Sequence, residues 1–185
     1  MYSTDATLTL KSSIETKSPA DWSWITEKVM NKKISNKDII NGSFIIPDGT
    51  TEIVRYAFSG CSRLTNVTIP ESVTKIRDYA FDECSSLKSI IIPEGVTEIG
   101  KYAFCDCWSL SSITLPAGVT EIGNGAFHEC SSLTNITIPD SVTKIGNMAF
   151  YGCTNLKKVS LPSKVKLGSE VFYRCHPDIE IEYRD

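Results

Sequence analysis

One interval constrains this sequence more than any other feature: the same residue types return every 23 positions. The repeated prolines are Pro47, Pro70, Pro93, Pro116, Pro139 and Pro162. The repeated Phe and Cys residues are Phe58, Phe81, Phe104, Phe127 and Phe150, with Cys61, Cys84, Cys107, Cys130 and Cys153. The last repeat is one residue short, which places its equivalents at Phe172 and Cys175. A unit of this size cannot bury its own apolar side, so the period predicts coils that stack into a solenoid.

Each unit begins with a pattern such as Leu133-x-x-Ile136-x-Ile138-Pro139, which is typical of leucine-rich repeats. Residues 134–138 alternate in polarity and are rich in β-formers, so each coil is predicted to give one short strand that ends before the proline. Stacking in register joins these strands into a parallel sheet on the concave side, with a spacing of about 4.8 Å between neighbours.

The second half of each unit is predicted to return along the convex side. We expect irregular turns there, with a short helical piece at about residues 147–151. Gly100, Gly123 and Gly146 each follow an isoleucine, and we expect them to ease this turn by allowing a positive φ.

The unit Ile-Pro-x-x-Val-Thr-x-Ile-Gly-x-x-Ala-Phe-x-x-Cys-x-x-Leu strongly resembles that of the BspA-like leucine-rich repeat family, from Phe44 to about Cys175. The resemblance implies an α/β-type leucine-rich repeat solenoid with a short parallel concave sheet and an irregular or short-helical convex side. It also implies a microbial surface or secreted protein that serves interaction or adhesion without catalysis. The motif residues themselves are structural and indicate no ligand.

Three regions follow from the repeat. Residues 1–40 do not repeat and are predicted to be an N-terminal capping segment, with a helix at about 19–32 that begins after Ser18 and Pro19 and buries Trp22. The alternative for this segment is a small independent binding or targeting element. Residues 41–177 form six repeats. Residues 178–185 are predicted to add a final strand, in which Glu180 lies beside Lys158.

Seven cysteines in so short a chain suggest disulfides or a metal site. Six of them occupy one repeated position, and stacked equivalents would be about 4.8 Å apart, beyond the usual Cβ separation in a disulfide. We therefore predict a column of free, buried thiols. Cys105 lies outside this column and is expected nearer the surface.

Two positions of the repeat on the convex side carry reactive side chains, which stack as columns in successive coils. The first contains Asp82, Cys105 and His128, and the second contains Glu83, Asp106 and Glu129. For a nucleophilic thiol the histidine should lie between thiol and carboxylate, which the order in the first column does not provide. We predict no catalytic residue, no cofactor and no bound metal ion; a weak metal site at either column is the alternative.

The concave sheet is the predicted binding face, because leucine-rich solenoids usually bind there. Its outward residues are Ser43, Ile45, Asn66, Thr68, Ser89, Ile91, Ser112, Thr114, Asn135, Thr137, Lys158 and Ser160. They are mostly small and uncharged, and they include no aromatic residue to stack on a sugar, so a protein partner is favoured. The alternative is that Ser and Thr merely form good β-ladders.

A column of tyrosines on the convex side forms a second candidate surface, which we call the tyrosine strip: Tyr56, Tyr79 and Tyr102. Stacked tyrosines are frequent at interfaces. We favour the alternative in which the rings fill the convex side of the core and only the hydroxyls reach water.

The net charge of −3 argues against a nucleic-acid groove, and no apolar run is long enough to enter a membrane. We therefore predict a non-enzymatic, monomeric protein-interaction module. The alternatives are a cell-surface or secreted adhesin that binds host or matrix protein, and a small cytosolic inhibitor or immunity-type protein. No signal peptide is visible in the first thirty residues. This predicts a cytoplasmic protein if Met1 is the native start, whereas the family resemblance predicts the cell surface.

Overall fold

The structure, a computed structural model, describes residues 33–185. Within this range the chain forms thirteen short strands and no helix, and hence no helix long and apolar enough to cross a membrane. The predicted helix at about 19–32 and its Trp22 lie outside the described residues. The assignment of residues 1–40 as a capping segment therefore stays a prediction.

The concave side is built from the predicted strands, one for each coil. They are β1 (Ser43–Ile45), β3 (Asn66–Thr68), β5 (Ser89–Ile91), β7 (Ser112–Thr114), β9 (Asn135–Thr137), β11 (Lys158–Pro162) and β13 (Glu180–Arg184). All pairings are parallel and in the predicted register, so that Ser89 lies beside Ser112 and Lys158 beside Glu180. The hydrogen-bonded ladder falls into three groups, β1 with β3, β5 with β7, and β9 with β11 and β13.

A second parallel sheet, which the sequence analysis did not predict, runs along the returning half of the coils. Its strands are β2 (Glu52–Ile53), β4 (Lys75–Ile76), β6 (Glu98–Ile99), β8 (Glu121–Ile122), β10 (Lys144–Ile145) and β12 (Lys166–Leu167). Two residues are too few to show an alternating pattern in sequence. The isoleucine of each pair except the last is in the core, and the charged residue faces outward.

The segment at residues 147–151 forms turns, so the expected short helix there is wrong. Met148 has a φ of +56°, which a right-handed helix does not accept. The same left-handed conformation recurs at the equivalent position of the neighbouring coils, as in Tyr79 and Tyr102. The convex side of the described coils is therefore irregular rather than helical.

The glycines at 100, 123 and 146 do not have the positive φ that we expected, so that expectation is wrong. They are needed because neighbouring coils approach one another closely at this point. A Cβ on Gly123 would lie 2.7 Å from the carbonyl carbon of Gly100, and a Cβ on Gly100 would lie 2.5 Å from that of Arg77. Real Cβ atoms essentially never make contacts this short.

The core is one continuous apolar cluster between the two sheets and the convex turns. At its centre the repeated Phe rings stack, with 5.3 Å between Phe81 and Phe104 and 5.4 Å between Phe104 and Phe127. Ile34 and Ile39 join this cluster ahead of the first coil, and the Ile34 amide donates to the carbonyl of Ala57.

Candidate functional site

The strands β3 to β9 present most of the predicted concave residues to solvent. The exposed ones are Asn66, Thr68, Ser89, Ile91, Ser112, Thr114, Asn135, Thr137 and Lys158, whereas Ser43, Ile45 and Ser160 are half-buried. This alternation follows from the pleat, because Val67, Ile90 and Ile113 between them point into the core. The sequence therefore assigned the outward positions correctly, and the structure adds that the first coil and Ser160 are partly covered.

Ile91 is the most exposed large apolar residue among those described, with 82% of its surface accessible. It lies at the edge of a shallow depression of about 290 Å³ between β3 and β5. The polar lining of this depression comes from Asn66, Thr68, Ser89 and Glu71. A single apolar side chain within a hydroxyl-rich surface is the kind of anchor around which interfaces concentrate their energy.

Glu71 was missed by the sequence analysis. It follows Pro70, and the residues after the prolines of neighbouring coils are also acidic and exposed, as in Asp48 and Glu94. Comparing this position among the repeats would have revealed the acidic residues from sequence. We call Asp48, Glu71 and Glu94 the acidic rim; they lie on the turns that follow the concave strands. Asp140 holds the same position in a later coil, where Arg184 pairs with it at 2.9 Å.

The rings of the tyrosine strip stack on one another and are absent from the apolar core cluster, so the expectation that they fill the core is wrong. The ring centroids of Tyr56 and Tyr79 are 4.9 Å apart, and those of Tyr79 and Tyr102 are 5.1 Å apart. The Arg55 guanidinium lies 5.0 Å from the centre of the Tyr56 ring, within cation–π range. Burial, with the neighbouring tyrosines, raises the pKa of Tyr79.

The strip ends at Gly125, the equivalent position in the next coil. A Cβ at Gly125 would lie 2.3 Å from Cε1 of Tyr102, so the ring of Tyr102 occupies the space that a side chain would need. Tyr56 is 41% exposed, and Tyr79 and Tyr102 are half-buried. The strip is therefore a ridge of bounded length on the convex side.

The cysteine column forms as predicted: its thiols are free, five of them are buried in the core, and the last one, Cys175, is half-buried. Each thiol also donates to a main-chain carbonyl of the preceding coil, for example Cys84 to Phe58 at 3.2 Å and Cys130 to Phe104 at 3.1 Å. Burial raises the pKa of the Cys61 thiol to about 11. The five buried thiols are structural donors rather than nucleophiles.

Cys105 is buried, but with 9% of its surface accessible it lies nearer the surface than the fully buried column cysteines, as expected. Its Sγ donates to Oδ2 of Asp106 at 3.1 Å and lies 4.0 Å from Nδ1 of His128. Burial, followed by the hydrogen bond to Asp106, raises the pKa of the Cys105 thiol. A catalytic cysteine needs a lowered pKa, so the arrangement favours no nucleophilic chemistry.

The structure does not bring Glu83, Asp106 and Glu129 together. Among the described residues, the only three metal-ligating side chains whose donor atoms lie within 4.8 Å of one another are Asp82, Cys105 and Asp106. Glu83 is exposed and Glu129 is half-buried in a different coil.

The repeat of this chain matches that of a known protein family. The family described as "BspA type Leucine rich repeat region" matches residues 32–123 and 51–178, with six copies. The chain belongs to this family. Proteins built from such repeats are generally interaction modules rather than enzymes. No curated protein matches the chain.

Two solved structures support the same fold for this BspA-type chain. It is 33% identical to the leucine-rich repeat protein of T. pallidum, with a TM-score of 0.73 over 80% of this chain and 71% of that one. It is 25% identical to a leucine-rich repeat protein of Eubacterium ventriosum, with a TM-score of 0.57 over 76% of this chain and 44% of that one.

Proposed function

We propose that this chain binds a protein partner through the concave face, with the depression beside Ile91 at the centre of the contact. The observation that supports this proposal most directly is the exposure of Ile91 in the middle of the concave side, where the other outward residues of β3 to β9 are small and polar. Burying that side chain against a partner would contribute about 1.5–3 kcal/mol.

The neighbouring residues suggest what the partner presents. Ser89, Ser112 and Asn135 offer hydrogen-bond donors and acceptors with little side-chain entropy to lose. Glu71 lines the same depression, and the rest of the acidic rim continues along that edge of the face. We therefore propose a partner surface with an apolar side chain that packs on Ile91 and a basic group that meets Glu71.

The experiment compares partner binding by matched variants. Candidate partners are captured with the wild-type chain, identified, purified and titrated against each variant. We expect Ile91→Arg to weaken binding at least about 10-fold, because the charge replaces the buried apolar contact. Glu71→Lys should weaken binding chiefly through a slower association rate that depends on salt.

The control is Thr97→Arg, which introduces the same charge at an exposed residue of the same coil, beside the second sheet. Equal affinity for the wild type, Ile91→Arg and the fourfold Arg variant of Asn66, Ser89, Ser112 and Asn135 would refute the concave site. If Tyr79→Ala then abolished binding, the tyrosine strip would be the interface. The adhesin and inhibitor hypotheses stay predictions, which the identity of the captured partner would test.

A further inference from the structure

Four metal-ligating side chains from three consecutive coils converge at one place on the convex side. Asp82 comes from one coil, Cys105 and Asp106 from the next, and His128 from the third. The donor atoms of the first three lie within 4.8 Å of one another, and Nδ1 of His128 is 4.0 Å from the Cys105 sulfur. The two candidate columns of the sequence analysis thus contribute to one group, because Asp106 turns towards the thiol of Cys105.

Neighbouring side chains hold these groups in position. The Ser59 hydroxyl donates to Oδ2 of Asp82 at 3.2 Å. The indole Nε1–H of Trp108 donates to Oδ1 of Asp106 at 3.0 Å, which leaves Oδ2 for the thiol. Outer hydrogen bonds of this kind are what orient the ligands of metal sites in proteins.

The orientation of the His128 ring is fixed by stacking on Tyr151. The two ring centroids are 4.8 Å apart and the rings are parallel to within 1°. This contact sets the plane of the imidazole, whose Nδ1 lies on the side of Cys105. Ordered side chains lose little entropy when they take up an ion.

The group also concentrates acidic side chains. The carboxylate oxygens of Asp82 and Asp106 both lie within 4.8 Å of the buried Cys105 thiol. In the part of the chain that the structure describes, the ion pairs are formed by other residues, such as Arg77 with Glu52 and Lys144 with Glu121. A divalent cation would offset two of the three negative charges that the two carboxylates and the thiolate carry.

We propose that Asp82, Cys105, Asp106 and His128 bind one divalent transition-metal ion of the Zn²⁺ class. A thiolate with an imidazole selects such an ion over Ca²⁺ or Mg²⁺, which prefer oxygen ligands alone. On binding, the Cys105 S–H bond breaks, its proton goes to solvent, and the sulfur donates an electron pair to the metal. No oxidation or reduction is involved. The ion would link three consecutive coils.

Cobalt(II) is the probe, because a thiolate ligand gives it a charge-transfer absorption in the near ultraviolet. The full chain, fully reduced and then freed of the reductant, is titrated with Co²⁺ and then with Zn²⁺ as competitor. We expect the band to saturate at one ion per chain and to disappear when Zn²⁺ displaces the cobalt. The Tm of the wild type should rise with Zn²⁺, since the ion binds only the folded arrangement.

Each substitution of a proposed cysteine or histidine ligand is compared with the same substitution at another residue of the same type in this chain. Cys105→Ser should abolish the band, whereas Cys175→Ser, at the half-buried last position of the cysteine column, should leave it unchanged. His128→Gln should weaken binding at least about 10-fold. His176→Gln, at the only other histidine, should have no effect.

Asp106→Asn preserves the shape of the group and guards against a folding defect in Cys105→Ser. Circular dichroism without metal establishes that each variant is folded. We expect Asp106→Asn to be folded and to bind cobalt at least about 10-fold more weakly. The absence of a band in the folded wild type would overturn the proposal. It would also be overturned if the band persisted in folded Cys105→Ser or was lost in Cys175→Ser.

Discussion

The Sγ of Cys107 lies 3.2 Å from the carbonyl oxygen of Phe81 in the preceding coil and donates a hydrogen bond to it. The same carbonyl also accepts the amide of Cys84 at 3.2 Å. The relationship recurs through the solenoid and links each coil to the one before it in the interior, where a backbone carbonyl has no access to water. It explains why the repeated position holds a cysteine rather than an alanine or a valine of similar size.

Substitutions at Cys107 separate the hydrogen bond from packing. We expect Cys107→Ala to lower the free energy of unfolding by about 1–3 kcal/mol, because it removes both the donor and buried volume. Cys107→Ser keeps a donor and should lose less. The measurement is urea denaturation of reduced protein.

The control for this comparison is Ser111→Ala. The Ser111 hydroxyl also donates to the preceding coil, at 3.2 Å to the carbonyl of Lys88, but it is exposed. Its loss should change stability by less than about 0.5 kcal/mol. A loss for Cys107→Ser equal to or larger than that for Cys107→Ala would show that the thiol acts through apolar packing alone.

Gly123 tests the close approach of neighbouring coils. Gly123→Ala would place a Cβ 2.7 Å from the backbone of Gly100, and backbone cannot move aside as a flexible side chain does. We expect a loss of about 1–3 kcal/mol or more in thermal or urea denaturation.

Gly95 provides the comparison for this substitution. An added Cβ there would meet nothing nearer than the Val73 carbonyl oxygen at 3.4 Å, and its φ is not positive. Gly95→Ala should therefore be neutral or stabilise by up to about 1 kcal/mol, through a less flexible unfolded chain. Equal losses at the two positions would contradict the interpretation of the glycine column.

The thiol of Cys61 predicts a pH dependence of stability. Burial raises its pKa in the folded protein to about 11 from an ordinary value of 9.0, while Lys33 lowers it and Asp38 raises it. As the pH rises past the ordinary value, the unfolded chain loses this proton before the folded chain does. The stability that the neutral thiol confers is therefore complete below about pH 9 and is lost progressively towards pH 11. The loss is about 2–3 kcal/mol.

The measurement is the free energy of unfolding under reducing conditions between pH 8 and 11, for the wild type and Cys61→Ala. The variant should be less stable than the wild type at pH 8, and its stability should fall less steeply over this range because it lacks the Cys61 thiol. Identical slopes for the two proteins would show that Cys61 does not titrate differently in the folded and unfolded chains.

The repeat alone determined most of the fold. The 23-residue interval of Pro, Phe and Cys indicated stacked coils, the alternation around residues 134–138 indicated the concave strands, and the register between Lys158 and Glu180 followed from the same alignment. These features are periodic, and a period is visible in one dimension because each coil contacts only its neighbours. The outward positions of the concave face followed for the same reason.

Features that depend on angles and distances between coils needed the tertiary structure. The left-handed φ of Met148 produces turns where a short helix was expected. Position 123 requires glycine because the backbone of Gly100 lies so close, and not because of a positive φ. Asp106 and Cys105 occupy different positions of the repeat, yet the Asp106 carboxylate accepts a hydrogen bond from the Cys105 thiol. The repeat shows which residues of neighbouring coils are stacked. The direction of each side chain depends on its neighbours in space, and that direction determines which donor atoms come close together.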